Sequence, residues 1–210
     1  MAETAKSVQL ATVMLGYRTV EAALLEAYSV PAKAALAFRA RLTNLQKQAL
    51  HGTGKMPGRG TPLDYGPDEI HRLIFACEAF ELGLPPGVVL LLVKTLWKNR
   101  LHQIFARAEN AAMSEPTDGD IVFCMGGVRL MTDLWSDAVP NLNACELRRL
   151  PDHMAAWMRM TPTDPAGLPP RALIVNLSMR LRTFHDALAR VNSHTLRDNR
   201  GKGTEQKRRK

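Results

Sequence analysis

Cysteine is scarce in this sequence, and its placement argues against a disulfide framework. The three cysteines, Cys77, Cys124 and Cys145, are an odd number and form no Cys-x-x-Cys or Cys-x-x-His motif. Small secreted domains held by disulfides carry an even set of such residues. We therefore expect reduced, mostly buried thiols in a cytoplasmic protein, with neither a bound metal nor a cofactor.

Long apolar runs are also missing. The longest, Val88–Val93, is far shorter than the roughly 20 residues that span a bilayer. Near the amino terminus, the apolar patch Val8–Leu15 is interrupted by Gln9 and Thr12, and no small-residue cleavage site follows it. The sequence therefore predicts no signal peptide and no membrane partner.

Catalytic motifs are equally absent. The histidines are scattered and form no His-Glu-x-x-His motif. The glycine-rich segment 52–60 lacks the Gly-Lys-Ser/Thr step of a nucleotide-binding loop, and no apolar strand precedes it. Close acidic pairs such as Asp118 and Asp120 are more typical of helix caps than of acid–base chemistry. We expect no catalytic residue and predict that the protein is not an enzyme.

Carboxylates are missing from one long stretch of the chain. Between Ala27 and Leu63 there is no Asp or Glu, while the whole chain carries a net charge of +8 with a pI near 9.8. Residues 199–210 add a second basic cluster, in which Glu205 is the one acid. Such a balance favours an anionic partner, either nucleic acid or an anionic membrane surface.

The acid-free stretch has the pattern of two helices and a loop. Val20, Ala23, Leu24 and Ala27 recur at helical spacing, and Pro31 suits the first turn of a second helix. The second helix, 31–50, has an apolar stripe that includes Phe38, Leu42 and Leu45. The following segment, 51–66, is too rich in glycine and proline for a helix, which predicts a hairpin-like wing, with a linker as the alternative.

A helix pair followed by a cationic loop is a shape that grips duplex DNA. The helix would offer side chains that reach phosphates and base edges, because Arg pairs with guanine and Asn or Gln with adenine. Cations of the loop would contact phosphates. The candidate DNA-binding residues are Lys33, Arg39, Arg41, Asn44, Lys47, Gln48, Lys55 and Arg59.

The rest of the chain predicts further helices and a small mixed region. A helix is expected from Pro67 to about Gly83, and a long one over 87–113 that serves either as a dimer helix or as a core helix. Gly126-Gly127 between two apolar runs predicts a hairpin over 121–131. The predicted fold is mainly α: an N-terminal arm (1–16), a winged helix–turn–helix domain (17–84), a linking or dimerisation helix (85–114), a small α+β region (115–192) and a disordered basic tail (193–210).

Residues 20–101 resemble the DNA-binding half of the MerR family of transcription regulators. The resemblance rests on VEAALLEAYSVPAKAALAFRARL as the helix–turn–helix, on the basic loop that ends in LDYGPDEIHRL, and on IFACEAFELGLPPGVV as the following helix, turn and next helix. In place of the family's arginine-tyrosine-tyrosine step stands Phe38-Arg39-Ala40-Arg41-Leu42. The resemblance implies a homodimer that acts with RNA polymerase or a small-molecule effector, and it carries over no metal.

Together these patterns predict a cytoplasmic, nucleoid-associated transcription regulator that binds double-stranded DNA. The alternative is a non-catalytic nucleic-acid-binding adaptor of the phage packaging or assembly type, which would use the same helix pair without operator specificity.

Overall fold

The computed structural model describes residues 14–47, 64–114, 118–126, 141–160 and 172–207. These residues are mainly helical with two small sheets, as the sequence predicts. The elements are β1 (Leu15–Gly16), α1 (Tyr17–Ala27), α2 (Ala32–Lys47), β2 (Asp64–Tyr65), α3 (Pro67–Glu81), α4 (Pro86–Leu96), a π-helical turn (Trp97–Leu101), α5 (His102–Ala112), β3 (Ile121–Gly126), β4 (Asn141–Glu146), a 3-10 turn (Leu147–Arg149), α6 (Leu150–Met160), β5 (Ala172–Asn176) and α7 (Leu177–Lys207).

The chain forms two compact units. Unit 1 comprises the residues up to Phe75 together with those from Arg182 onward, and unit 2 comprises Ala76–Leu181. Helices α3 and α7 contribute residues to both units.

Helices α1 and α2 of unit 1 are joined by a tight turn. The N–H of Ser29 donates to the carbonyl of Glu26 and that of Val30 to the carbonyl of Leu25, while Ser29 has a left-handed φ of 47°. This is a Schellman ending, which satisfies the last carbonyls of α1 and reverses the chain before Pro31. Two helices, at 17–27 and 32–47, therefore lie where helices are predicted before Tyr28 and over 31–50, of which residues 48–50 fall outside the described part.

Strands β1 and β2 place the residues before α1 next to the residues before α3. They pair antiparallel, with Leu15 opposite Tyr65 and Gly16 opposite Asp64. The wing predicted for 51–66 lies outside the described residues except for its last three positions. There, residues 64 and 65 pair with the strand that precedes α1, rather than with a hairpin partner of their own among the described residues.

Helices α3, α4 and α5 lie where the sequence predicts helices, over residues 67–83 and 87–113. Gly83 has a φ of 81°, and the N–H of Leu84 donates to the carbonyl of Ala79, so α3 also ends in a Schellman motif before Pro85 and Pro86. The predicted long helix 87–113 is interrupted by the π-helical turn, where the rings of Trp97 and Phe105 lie 5.5 Å apart. Its apolar residues are largely buried within the chain itself, which favours a core helix over a dimer helix.

Gly83 offers a test of this helix ending. Gly83→Ala is expected to lower the free energy of unfolding by about 1–2 kcal/mol, because a Cβ disfavours the left-handed conformation even though no atom obstructs it. Gly87→Ala, within α4 and equally unobstructed, is the matched control and should stabilise by up to about 1 kcal/mol. Urea denaturation of both variants measures the effect. Equal shifts of the same sign would contradict the assigned ending.

The prediction of a hairpin over 121–131 is wrong, because it assigns β3 the wrong partner strand. Strand β3 pairs antiparallel with β4 on one side and with β5 on the other, giving the order β4-β3-β5. All side chains from Ile121 to Met125 are buried, so β3 is a central strand that needs two partners from distant parts of the chain.

Hydrogen bonds join this sheet to the start of α7. Asn176 caps the helix, because its Oδ1 accepts from the N–H of Met179 at 2.9 Å, while its Nδ2 donates to Asp120 at 3.1 Å. The Ser178 hydroxyl accepts from the N–H of Ile121 at 2.8 Å. From this cap α7 continues to Lys207, so the disordered tail predicted from residue 193 is wrong for the backbone over 193–207. No proline interrupts that stretch.

Candidate functional site

One face of α2 carries most of the described DNA-binding candidates. Lys33, Arg41 and Asn44 follow one another at intervals of eight and three residues, which places them along a single stripe of the helix. All three are exposed, whereas Leu42 and Leu45 of the same helix are 2% exposed and pack inward. The prediction that the polar side of this helix faces outward is therefore confirmed for these residues.

Arg39 lies away from this stripe and has a different partner. Its Nε donates to Oε1 of Glu21 on α1 at 2.6 Å. The Tyr17 side chain belongs to the same cluster: burial, followed by its hydrogen bond with Glu21, raises the pKa of Tyr17 above its usual value. Arg39 thus joins α2 to α1 through an ion pair, a contact that the sequence pattern did not reveal.

The carboxylates of the helix pair are both neutralised. Residues 17–47 contain two acids, Glu21 and Glu26. The first pairs with Arg39, and the second accepts a hydrogen bond from Nε of Arg190 on α7. Since neither carboxylate belongs to α2, the exposed stripe of this helix presents cations without an intervening acid.

For the other predicted DNA-binding residues, the structure describes either the backbone alone or nothing. Lys47 is the last residue of α2, and its side chain is outside the described part. Gln48, Lys55 and Arg59 also fall outside the described residues.

Leu36 is a residue that the sequence reasoning missed. It lies one turn beyond Lys33 and is 78% exposed. The sequence did contain a signal of this exposure, because Leu36 falls outside the apolar stripe formed by Phe38, Leu42 and Leu45.

A second candidate site lies in unit 2. A cleft of about 570 Å³ opens beside β4 and α6, with Cys145, His153, Arg107 and Arg149 among its lining residues. At this cleft the Sγ atoms of Cys124 and Cys145 and a ring nitrogen of His153 all lie within 4.8 Å of one another. Sequence spacing gave no signal of this cluster, because it depends on the register between β3 and β4.

No protein-family model, curated protein or solved structure matches the chain. Among the described residues, no helix has the length and apolar character needed to cross a membrane.

Proposed function

We propose that this chain binds double-stranded DNA through the exposed stripe of α2, as a transcription regulator of MerR-like type. The observation that carries the proposal is the acid-free stripe of Lys33, Arg41 and Asn44, on a helix pair whose two carboxylates are engaged by arginines. Electrostatic attraction to phosphate would therefore act on α2 without local competition.

The stripe has side chains suited to both parts of DNA recognition. Lys33 carries a flexible ammonium that suits a phosphate, whereas Arg41 and Asn44 have the planar groups that pair with guanine and adenine edges. Leu36 adds an apolar surface near the start of the helix. Arg39, held by Glu21, is given no contact with DNA in this proposal.

The pairing of β1 with β2 supports a role for the basic loop. Segment 48–63 begins at the end of α2 and ends at β2, so both of its ends are fixed within unit 1. Lys55 and Arg59 therefore belong to the stretch of sequence that connects the end of the proposed DNA-binding helix to β2. We assign them to phosphate contacts. In the MerR-like arrangement two chains would bind half-sites one helical turn apart, about 34 Å.

Replacing Lys33 and Arg41 together by alanine is expected to weaken binding to a selected duplex. Arg41 should account for about 1–3 kcal/mol, and loss of the Lys33 phosphate contact should reduce the salt slope by about 1. Fluorescence anisotropy across a salt series measures both quantities. The matched control is Lys94→Ala with Arg100→Ala, which removes the same charge from exposed positions in unit 2. Equal losses in the two double variants would indicate a general charge effect and contradict the assignment.

The adaptor alternative differs in specificity rather than in charge. Genomic fragments bound by the full-length chain would be selected from a pool, and the affinity for the enriched fragment would be compared with that for random duplex. A regulator should prefer its site by about 10³-fold or more. Equal affinities would support the adaptor. Arg39→Ala should leave the base preference intact, because its guanidinium is engaged with Glu21.

A further inference from the structure

The cleft in unit 2 brings together three side chains that ligate soft metals. In the β3–β4 ladder Cys124 is opposite Asn143 and Cys145 is opposite Val122, so the two cysteines are diagonal neighbours on the same face of the sheet. His153 comes from α6, which follows β4 after the short 3-10 turn Leu147–Arg149. Three consecutive elements of the fold therefore converge on one point.

We propose that Cys124, Cys145 and His153 bind a Zn²⁺ ion. Zinc favours tetrahedral coordination by thiolate and imidazole, with Zn–S near 2.3 Å and Zn–N near 2.0–2.1 Å. Those bond lengths place ligand atoms roughly 3.5–4 Å apart, and the three atoms here already lie within 4.8 Å of one another. Small side-chain rotations suffice to complete the site. Two thiolates and one imidazole also exclude the hard cations, which select oxygen ligands.

The charge balance of the site suits a divalent cation. Burial, followed by the neighbouring Cys145, raises the pKa of the Cys124 thiol to about 11. Each thiol must lose its proton to ligate zinc, so binding releases one proton from each thiol to solvent, and the two thiolate charges neutralise the ion. Burial raises the pKa of the Cys145 thiol, while its hydrogen bond with Cys124 and the charge of Arg107 oppose that rise.

The fourth coordination position would face the cleft. Two acids line the cleft, Glu146 and Asp152. Glu146 is engaged by Arg148 at 2.7 Å and by Arg149 at 3.9 Å. Neither carboxylate belongs to the cluster of ligand atoms within 4.8 Å of one another, which leaves the position to water or to a small anion. The cleft is large enough for such a ligand and is bordered by Arg107 and Arg149. An open position is the property that separates zinc sites able to bind a further ligand from closed structural ones.

A disulfide between the same cysteines is the competing interpretation. Diagonal neighbours in an antiparallel ladder have Cα atoms roughly 7–8 Å apart, whereas disulfides are usually formed over 4.4–6.8 Å. The ladder therefore favours a bridging ion over a covalent bond. Because the readout is metal binding, the proposal stands or fails independently of DNA binding.

The test uses the reduced, full-length chain stripped of metal by a chelator. Zn²⁺ is titrated against a chromogenic chelator, and Co²⁺ serves as a spectroscopic probe. We expect one Zn²⁺ per chain and, with Co²⁺, the sulfur-to-metal charge-transfer absorption of a tetrahedral thiolate site. Cys124→Ser, Cys145→Ser and His153→Gln should each weaken Zn²⁺ binding by about 100-fold or more, since changes even to outer-shell partners cost about 10–100-fold.

Two control variants separate this site from other thiols and imidazoles. Cys77→Ala alters a buried cysteine outside the cluster, and His102→Gln alters an exposed histidine of α5. Both should bind Zn²⁺ as the parent chain does. Cys145 and His153 are only partly buried, so their variants are expected to fold even if Cys124→Ser does not. Absence of the charge-transfer band, or unchanged Zn²⁺ affinity in the Cys145 and His153 variants, would overturn the proposal.

Discussion

Replacing Tyr65 by alanine is expected to lower the free energy of unfolding by about 3–5 kcal/mol. Tyr65 is fully buried, and its ring lies 6.3 Å from that of Tyr17 at the start of α1. It also pairs with Leu15 across the β1–β2 ladder. The substitution therefore leaves a cavity at the point where the segments before α1 and after the basic loop meet. Urea denaturation followed by circular dichroism measures the change.

The control for this prediction is Tyr65→Phe, which keeps the buried ring and removes the hydroxyl alone. It should cost much less than the alanine variant, because ring burial supplies most of the stabilisation. If DNA is bound by the helix pair, Tyr65→Ala should also lose duplex binding at temperatures where unit 1 unfolds, whereas Tyr65→Phe should retain it. Equal destabilisation by the two variants would show that the ring contact contributes little.

The helices of this protein could be predicted from the sequence because their signals are local. Val20, Ala23, Leu24 and Ala27 recur at helical spacing and are all buried in α1. Pro31 and Gly83 mark a start and a stop, and the structure places both beside helix ends. Propensity, periodicity and capping act within a few residues, so one pass along the chain is enough to detect them.

The sheet of unit 2 could not be predicted in the same way. Gly126-Gly127 is a strong local hairpin signal, yet β3 takes its partners from 141–146 and 172–176. Burial of β3 decides this outcome, since the backbone N–H and C=O groups along both edges of a buried strand need hydrogen-bond partners, and the identity of the partner strands depends on tertiary packing. The cluster of Cys124, Cys145 and His153 follows from that register and was therefore invisible in the spacing of the residues.

The arrangement of the α2 residues could be predicted from the sequence only in part. Its exposed stripe follows from helical periodicity, so Lys33, Arg41 and Asn44 could be grouped in advance. The partner of Arg39 depends on how α1 crosses α2, and no pattern at a separation of 18 residues encodes the ion pair with Glu21. Periodicity indicates which side chains face outward, but it does not indicate which of them are already engaged.

Replacing Arg180 by methionine is expected to cost about 3 kcal/mol of unfolding free energy. Its Nε lies 2.5 Å from Oε1 of Glu78, a residue that is only 8% exposed. Removal of one member of a buried ion pair costs about 3–5 kcal/mol, because the remaining charge stays in a poorly solvated position. The lower end of that range applies because the Arg180 side chain is 30% exposed and water partly screens the pair.

Two comparison variants distinguish the effect of losing the Glu78–Arg180 ion pair from the effect of losing side-chain packing. In the double variant Glu78→Leu with Arg180→Met, neither charge of this pair is left without the other, so much of the stability lost in Arg180→Met should return. Arg148→Met, which breaks the more exposed pair with Glu146, should cost much less than Arg180→Met. Urea denaturation of the three variants under one buffer condition provides the measurement. If the double variant is less stable than Arg180→Met alone, the pair contributes through its packing rather than through its charge, and the argument from desolvation is wrong.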